Sequence, residues 1–471
     1  MSAAHLGVQR PCAIVPSVLP CVGRGSQRNR QMTTVAKAAG VRSCDIAVVG
    51  GGLGGLVSAA AIRRALPDID VKVFEQSPTF AKAGALLGVS VNAQNAIQAI
   101  NPSLMEQIDS VVVKSGKSFA YNHTGELVRE SVVGKPTDDD KEGNSLMQKY
   151  GRSIMRLGWW EVHKILAGAQ PEGSVIFNSK FSEYEEHGDG VAVRFNTQGE
   201  CADEWTAKLV VGADGAFSPV RRQCLDDGKP DFAGSVIWRA RLPTTSMKGL
   251  LDDGVIERSW FGNQRFANLW MVNEQENEGC WVFGTSADVL AEMGVNFSKD
   301  PGAKVGYQTQ PIGKNALERA KRVAACFPAQ FQQVLEGTDP DTVVEHGMWT
   351  RSVTGPWGRG RVTLSGDAAH PMRPATGQGL GQAAEDAHAL ALALQEHGLT
   401  AEALRAYEDS RWERVKVIGD VEQALAMSAY SKKAQDTTEK HNEILTTSNY
   451  QEMCFGAKFA PLQPQLTPAL V

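Results

Sequence analysis

The run Gly50-Gly51-Gly52-Leu53-Gly54-Gly55 restricts the fold of this chain more than any other feature. It sets glycines in Gly-x-Gly-x-x-Gly order at Gly50, Gly52 and Gly55, between an apolar strand at 45–49 and an apolar helical stretch at 56–66. A second strand at 71–74 ends at Glu75. Such a strand-helix-strand unit of about 30 residues is a dinucleotide-binding element. Gly50 permits the tight turn, Gly52 lets the backbone approach a pyrophosphate, and Gly55 lets the helix pack close to the strand. The helix N-terminus offers free N–H groups and positive potential to phosphates. Glu75 is placed to accept hydrogen bonds from ribose hydroxyls, which disfavours a phosphorylated ribose. The turn by itself leaves NAD and FAD open.

Two distant segments narrow the choice. The first is Leu209-Val210-Val211-Gly212-Ala213-Asp214-Gly215-Ala216-Phe217-Ser218-Pro219-Val220-Arg221; the second is Gly360-Arg361-Val362-Thr363-Leu364-Ser365-Gly366-Asp367-Ala368-Ala369-His370-Pro371. Each is a strand entering a polar glycine turn, and ligands of open α/β sheets bind at such carboxyl ends. With these motifs the chain resembles the single-component FAD-dependent aromatic hydroxylases, or class A flavoprotein monooxygenases. That family includes salicylate hydroxylases, urate hydroxylases and zeaxanthin-epoxidase-type flavoproteins. The resemblance runs from Asp45 to about Arg414.

The resemblance implies FAD as the bound cofactor and NAD(P)H as electron donor. Asp214, Gly215, Ser218 and Arg221 match the motif that serves both. Gly366 and Asp367 match the motif whose aspartate binds the ribityl chain. Residues 374–381, with Pro374, Gly377, Gly379 and Leu380, match the loop under the isoalloxazine ring, and Glu385-Asp386 continue the match. Arg156 resembles an arginine near the FAD. The helix carrying Leu404, Tyr407, Glu408, Arg411 and Arg414 fits the family's ending. Three places depart from the pattern: Ala81 stands where arginine is frequent, with Lys82 one place later, Gly381 stands where asparagine is frequent, and Gly84-Ala85-Leu86-Leu87 has leucine where glycine is frequent.

The activity implied is monooxygenation. Reduced flavin and O2 form a C4a-hydroperoxide that hydroxylates or epoxidises an electron-rich aromatic, heterocyclic or isoprenoid substrate. The flavin carries the hard chemistry, so no Ser-His-Asp or metal constellation is required. Backbone N–H groups near Pro374 to Gly381 are expected to stabilise developing negative charge, with Pro374 and Gly377 the candidate catalytic positions. A reductase or oxidase of the same fold, or a non-catalytic flavoprotein module, is the alternative.

Substrate groups are expected from a β-rich region at 231–344. There Trp238 alternates with Arg239 and Arg241, so both arginines share one face; Arg239 is the candidate partner of a substrate carboxylate or oxyanion. Trp260, Phe261, Trp270, Trp281 and Phe283 are candidate pocket residues, with core packing favoured for most. His370 is read as a helper of loop geometry; His346 and His388 are read as structural.

The expected fold is α/β: a Rossmann-like FAD-binding domain interleaved with a mostly β substrate domain, followed by C-terminal helices. Residues 44–230 and 345–400 are assigned to the first, 231–344 with part of 110–130 to the second, 401–458 to the helices and 459–471 to an irregular tail. The acidic stretch 134–150 is expected to be a surface loop.

A chain of 471 residues, 42 % hydrophobic and 21 % charged, can bury a sizeable core. Its net charge of -5 offers no basic surface for nucleic acid. No apolar run is long enough to cross a bilayer, although peripheral membrane contact stays open. The eight cysteines form no Cys-x-x-Cys pair, so they are read as reduced thiols and no metal site is expected. Residues 1–43 contain no Asp or Glu and carry Arg10, Arg24, Arg28, Arg30, Lys37 and Arg42. That is transit-peptide composition, with plastid the first destination and mitochondrion the alternative.

Overall fold

The computed structural model describes residues 42–133 except 83, 145–196, 203–295, 314–430 and 449–465, with five more between 431 and 448. The chain opens with β1 (Arg42–Val49), α1 (Leu53–Ala65) and β2 (Val71–Phe74). Then come β3 (Leu86–Val89), α2 (Val91–Ile100), α3 (Pro102–Ser110) and the hairpin β4 (Gly116–Asn122) and β5 (Leu127–Val133). Next are α4 (Ser145–Tyr150), β6 (Met155–Gly158), α5 (Trp159–Gly168), β7 (Val175–Ile176), β8 (Lys180–His187), β9 (Gly190–Asn196), β10 (Asp203–Gly212) and α6 (Pro219–Leu225). A second set follows: β11 (Asp231–Pro243), β12 (Val255–Gly262), β13 (Arg265–Asn273), β14 (Glu278–Ser286), α7 (Ala287–Glu292), α8 (Lys314–Ala324), α9 (Ala329–Glu336) and β15 (Val344–Thr350). The chain closes through β16 (Val362–Leu364), α10 (Gln378–His397), α11 (Ala401–Ser428) and α12 (Tyr450–Phe455).

Five parallel strands form the centre of the first sheet in the order β7-β2-β1-β10-β16, and the antiparallel hairpin β9-β8 extends the early half of β10. This is the strand order of a doubly wound dinucleotide fold, whose switch point lies between the ends of β1 and β10. Strand β1 is apolar on both faces because α1 and α10 cover one of them. Small residues let these helices approach: Ala383 of α10 lies 3.7 Å from the position a Cβ on Gly54 would take.

The second sheet runs β15-β11-β14-β13-β12-β4-β5. One face buries Trp238, Trp281 and Phe283 against Phe327 and Phe331 at the end of α8 and on α9. Burying a side chain such as Phe283 contributes about 1.5–3 kcal/mol over leaving it in water. The opposite face carries the alternate residues, among them Arg239, Arg241, Cys280, Asn268 and His346. A two-stranded ribbon, β3-β6, meets this face, and Ala85 and Leu86 pack against Val272 and Cys280.

The strands expected at 71–74 and those entering the second and third motifs are present, as are the helix after the first motif and the C-terminal helix carrying Leu404 to Arg414. Several boundaries shift. Arg42 and Ser43, assigned to the leader, begin β1, where Arg42 pairs with Asp203 at 2.7 Å; residues 1–41 lie outside those described. Strand β15 belongs to the second sheet, so that sheet extends to Thr350 instead of ending at 344. Residues 145–150, expected as loop, form α4. The tail at 459–465 is irregular yet packed, with Leu462 buried and its N–H donating to Ala99 O at 2.9 Å.

Candidate active site

The glycine turn joins β1 to α1. Gly50 has φ +109°, and a Cβ there would lie 2.4 Å from Ala213 O. A Cβ on Gly55 would lie 1.9 Å from Gly50 O, so helix and turn touch backbone to backbone. Gly52 differs: nothing lies within 4 Å of its Cβ position. The turn is therefore closed on its protein side and open on the side a pyrophosphate would take. Glu75 is oriented from two directions, accepting from Gly51 N–H at 2.9 Å and Ser77 N–H at 2.8 Å. From below, His163 of α5 donates through Nε2 to Gly51 O at 2.9 Å and stacks on Trp159. Burial holds the His163 pKa below the ordinary histidine value, which suits a neutral donor.

The second motif leaves β10 beside this turn. Burial raises the Asp214 carboxyl to about 6, although Oδ2 accepts from Val220 N–H at 3.1 Å. Gly215 has φ +85°. Ser218 caps α6, accepting from Arg221 N–H at 2.8 Å. Arg221 is itself a clamp: its guanidinium donates to Ala368 O and Ala369 O at 3.1 and 2.6 Å and pairs with Asp227 at 2.5 Å. It ties the second motif to the third with four of its five N–H donors.

In the third motif Gly366 (φ +59°) donates its N–H to Asp386 Oδ2 at 3.0 Å. Asp367 follows, its carboxyl raised by burial and partly offset by His370. Among the described residues no donor reaches the Asp367 carboxylate, so it is an acceptor still to be satisfied. His370 donates through Nε2 to Asp386 at 2.6 Å. Burial works against the Asp386 anion, but His370 and Arg411 outweigh it and hold the pKa at about 2. Arg411 also pairs with Glu385 at 2.6 Å, and Arg414 joins Glu385 at 2.6 Å. This buried network fixes α10 against α11. His370 thereby ties the third motif to α10 through Asp386.

The loop 374–381 carries exposed Pro374 and then Gly377, whose φ of +77° starts α10. A Cβ on Gly377 would lie 3.0 Å from Gly88 O, and Gly379 has open space. The structure narrows which of this loop's amides are free. Pro374 has no N–H, and those of Ala375 and Thr376 are both spent on Glu422 Oε2 at 3.0 Å. The amides left to face a ligand are those of the first turn of α10, including Gly379 and Leu380. Leu380 also anchors that turn by burying its side chain.

The structure bears on the departures at Ala81 and Gly381. Lys82 pairs with Glu276 at 2.8 Å and Glu278 at 3.0 Å, so it does not replace the missing arginine. At Gly381 a Cβ would come within 2.9 Å of Asn92 Nδ2, which bonds Gln378 and Glu385; a neighbouring helix already fills the place. Arg156 on β6 pairs with Glu257 of β12 at 3.3 Å, linking the ribbon to the second sheet.

On that sheet Trp238 points into the core and donates to Glu345 at 2.6 Å, while Arg239 and Arg241 lie on the opposite face. Arg241 is committed to Glu161 and Glu278. Arg239 sits diagonally from His346, whose pKa is pushed to about 3 by burial and then by the Arg239 charge. His346 was read as merely structural, and no local signal marks it; only strand pairing brings it here. The aromatic set splits: Trp260, Trp281 and Phe283 are core, whereas Trp270 lies on the opposite face. Phe266 on that face meets Tyr430 at the end of α11, at 6.1 Å between ring centroids.

A glycine turn open only toward a ligand, with Glu75 at the ribose position and an unsatisfied Asp367 across the switch point, fits FAD. The fold and this site define a flavoprotein with a separate substrate sheet laid over its cofactor domain. The chain belongs to the FAD binding domain family, whose model matches residues 43–421, and it is an FAD-dependent monooxygenase. It is 27 % identical over 417 residues to 6-hydroxynicotinate 3-monooxygenase of Bordetella bronchiseptica, covering 87 % of this chain and 94 % of that one. It is 28 % identical over 412 residues to the chloroplastic zeaxanthin epoxidase of Solanum lycopersicum, covering 83 % of this chain and 55 % of that one. Klebsiella pneumoniae HpxO, solved with FAD and uric acid, shares the fold at a TM-score of 0.68 with 21 % identity, over 87 % of this chain and 96 % of that one. Among the described residues no helix is long and apolar enough to cross a membrane.

Proposed function

We propose that this monooxygenase uses NAD(P)H and O2 to hydroxylate a small aromatic or nitrogen-heteroaromatic acid, with Arg239 receiving the substrate's negative charge. The observation that carries this reading is the placement of Arg239 on the face of the second sheet opposite its aromatic core, diagonally from His346. Arg241 is neutralised by two carboxylates. Arg239 lies diagonally from His346, whose pKa burial and then the Arg239 charge push down to about 3. A relative that acts on 6-hydroxynicotinate supports an anionic ring substrate.

FAD, when bound, supplies electron transfer from the nicotinamide and activation of O2. The protein's part is binding and orientation. Gly50, Gly52 and Gly55 admit the pyrophosphate to the α1 N-terminus, and Glu75 accepts from the adenosine ribose. Asp214 and Gly215 line the switch point, and Asp367 accepts from the ribityl hydroxyls. When FAD is bound, Arg156 would lie near it, and the amides of Gly379 and Leu380 would face it. Gly366 and Gly377 give the two left-handed turns that bring these segments together. Water is kept out by the Phe266–Tyr430 side and by the ribbon packed on Cys280.

The test is Arg239→Ala with an aromatic acid and its neutral amide. An exposed ion pair is worth under about 1 kcal/mol, whereas a desolvated one lost on binding costs 2–5 kcal/mol. The reading expects KM for the acid to rise at least about tenfold with the amide unaffected. Equal KM values for the acid in both proteins would refute the role of Arg239. A second substrate reading, isoprenoid epoxidation in the plastid, draws on the acid-free N-terminus and the chloroplastic relative. Import of a fusion carrying residues 1–43 into isolated chloroplasts, against mitochondria, tests the address.

A further inference from the structure

Glu422 of α11 is fully buried, and its carboxylate is not spent on any arginine or lysine among the described residues. Instead it takes hydrogen bonds from a loop 46 residues away in sequence. Oε2 accepts the N–H groups of Ala375 and Thr376, each at 3.0 Å. Oε1 accepts the Thr376 hydroxyl and, at 2.6 Å, the hydroxyl of buried Tyr450 on α12. The two hydroxyls also meet each other. A buried carboxylate without a cation is costly unless donors surround it, and burial does raise the Glu422 pKa. The main-chain bonds are informative because they fix the backbone immediately before Gly377. There the chain turns through φ +77° into α10, so the first helical turn inherits its direction from this clamp.

We propose that Glu422, braced by Tyr450, is a positioning residue for the monooxygenase reaction: it locks 375–376 so that the Gly379 and Leu380 amides stay aimed at the flavin ring. This rests on the assignment of 374–381 to the ring given above. Two helices that touch no reacting atom thereby govern how well the ring is held.

The test compares flavin-bound wild type with Glu422→Ala, Glu422→Gln and Tyr450→Phe. Glutamine can accept both amides through its oxygen and donate to both hydroxyls through its nitrogen, since hydroxyls also accept. Misplacement by about 1 Å costs up to about 100-fold in a positioned reaction. Glu422→Ala is therefore expected to lose at least about tenfold in product formed per NAD(P)H, with hydrogen peroxide released instead. Its visible flavin band shifts, and its KM for the nicotinamide does not change. Glu422→Gln restores coupling to within about twofold. An alanine variant with wild-type coupling and spectrum would overturn the proposal, as would a glutamine variant as defective as alanine. Should the alanine variant not fold, Tyr450→Phe decides: reduced coupling at an unchanged melting temperature supports the clamp, and unchanged coupling overturns it. Wild type that retains no flavin would overturn the ring assignment itself, an outcome separate from flavin-bound variants that behave alike.

Discussion

Gly52 and Gly55 are three residues apart, yet alanine should act on them in opposite ways. At Gly52 the backbone has φ -76° and ψ -178°, which any residue adopts, and nothing lies within 4 Å of the Cβ position. Alanine there should leave the ligand-free fold intact or stabilise it by about 0.4–1 kcal/mol through the unfolded chain. The same methyl occupies the space assigned to the pyrophosphate, and such an intrusion costs about 1–3 kcal/mol. FAD affinity should therefore fall about 5- to 150-fold. At Gly55 the added Cβ would lie 1.9 Å from Gly50 O, backbone against backbone, with no rotamer to relieve it. Gly55→Ala should destabilise the ligand-free protein by about 3 kcal/mol or more. The assay pairs urea unfolding of the flavin-free proteins with FAD titration followed by flavin fluorescence. Wild-type FAD affinity in Gly52→Ala would refute the reasoning, because the open side of the turn would then not be the cofactor's.

Three further outcomes follow from the geometry. Asp386→Asn leaves buried Arg411 and His370 short of a charge partner and should cost about 3–5 kcal/mol in urea unfolding. Gly381→Asn, which restores the family's commoner residue, should not tighten FAD binding. It should instead lower stability by about 1–3 kcal/mol, because Asn92 and Ser90 fill the site; tighter binding would refute the account of that departure. His346 has a folded pKa of about 3 against an ordinary value of 6.5. The unfolded chain thus binds the extra proton first, and stability present above about pH 6.5 is lost as pH falls toward 3. His346→Gln should flatten that part of the stability profile, as measured by melting temperature against pH.

What could be read in advance followed from locality. The turn at 50–55 and Glu75 belong to one strand-helix-strand unit, so spacing along the chain carries their geometry. The alternation of Trp238 with Arg239 and Arg241 likewise follows from the two-residue period of a strand. Contacts between distant segments were not legible. Glu161 neutralises Arg241 across 80 positions, and His163 reaches Gly51 across 112. His346 joins Arg239 only through the β11–β15 pairing. Glu422 gives no signal because a lone Glu inside an amphipathic helix reads as solvated surface. That the amides of Ala375 and Thr376 are already spent was not legible for the same reason, since their acceptor lies on another helix.

The measurement that bears most directly on the central claim is oxygen transfer with isotopically labelled O2. The flavin-loaded protein would be given NADH or NADPH and a panel of hydroxylated aromatic and heteroaromatic acids, and the product mass recorded against nicotinamide consumed. The account predicts a product carrying one labelled oxygen for each nicotinamide oxidised, and no such product from Asp367→Ala. Flavin that is reduced while all labelled oxygen appears as hydrogen peroxide across the panel would contradict it and leave an oxidase on this fold.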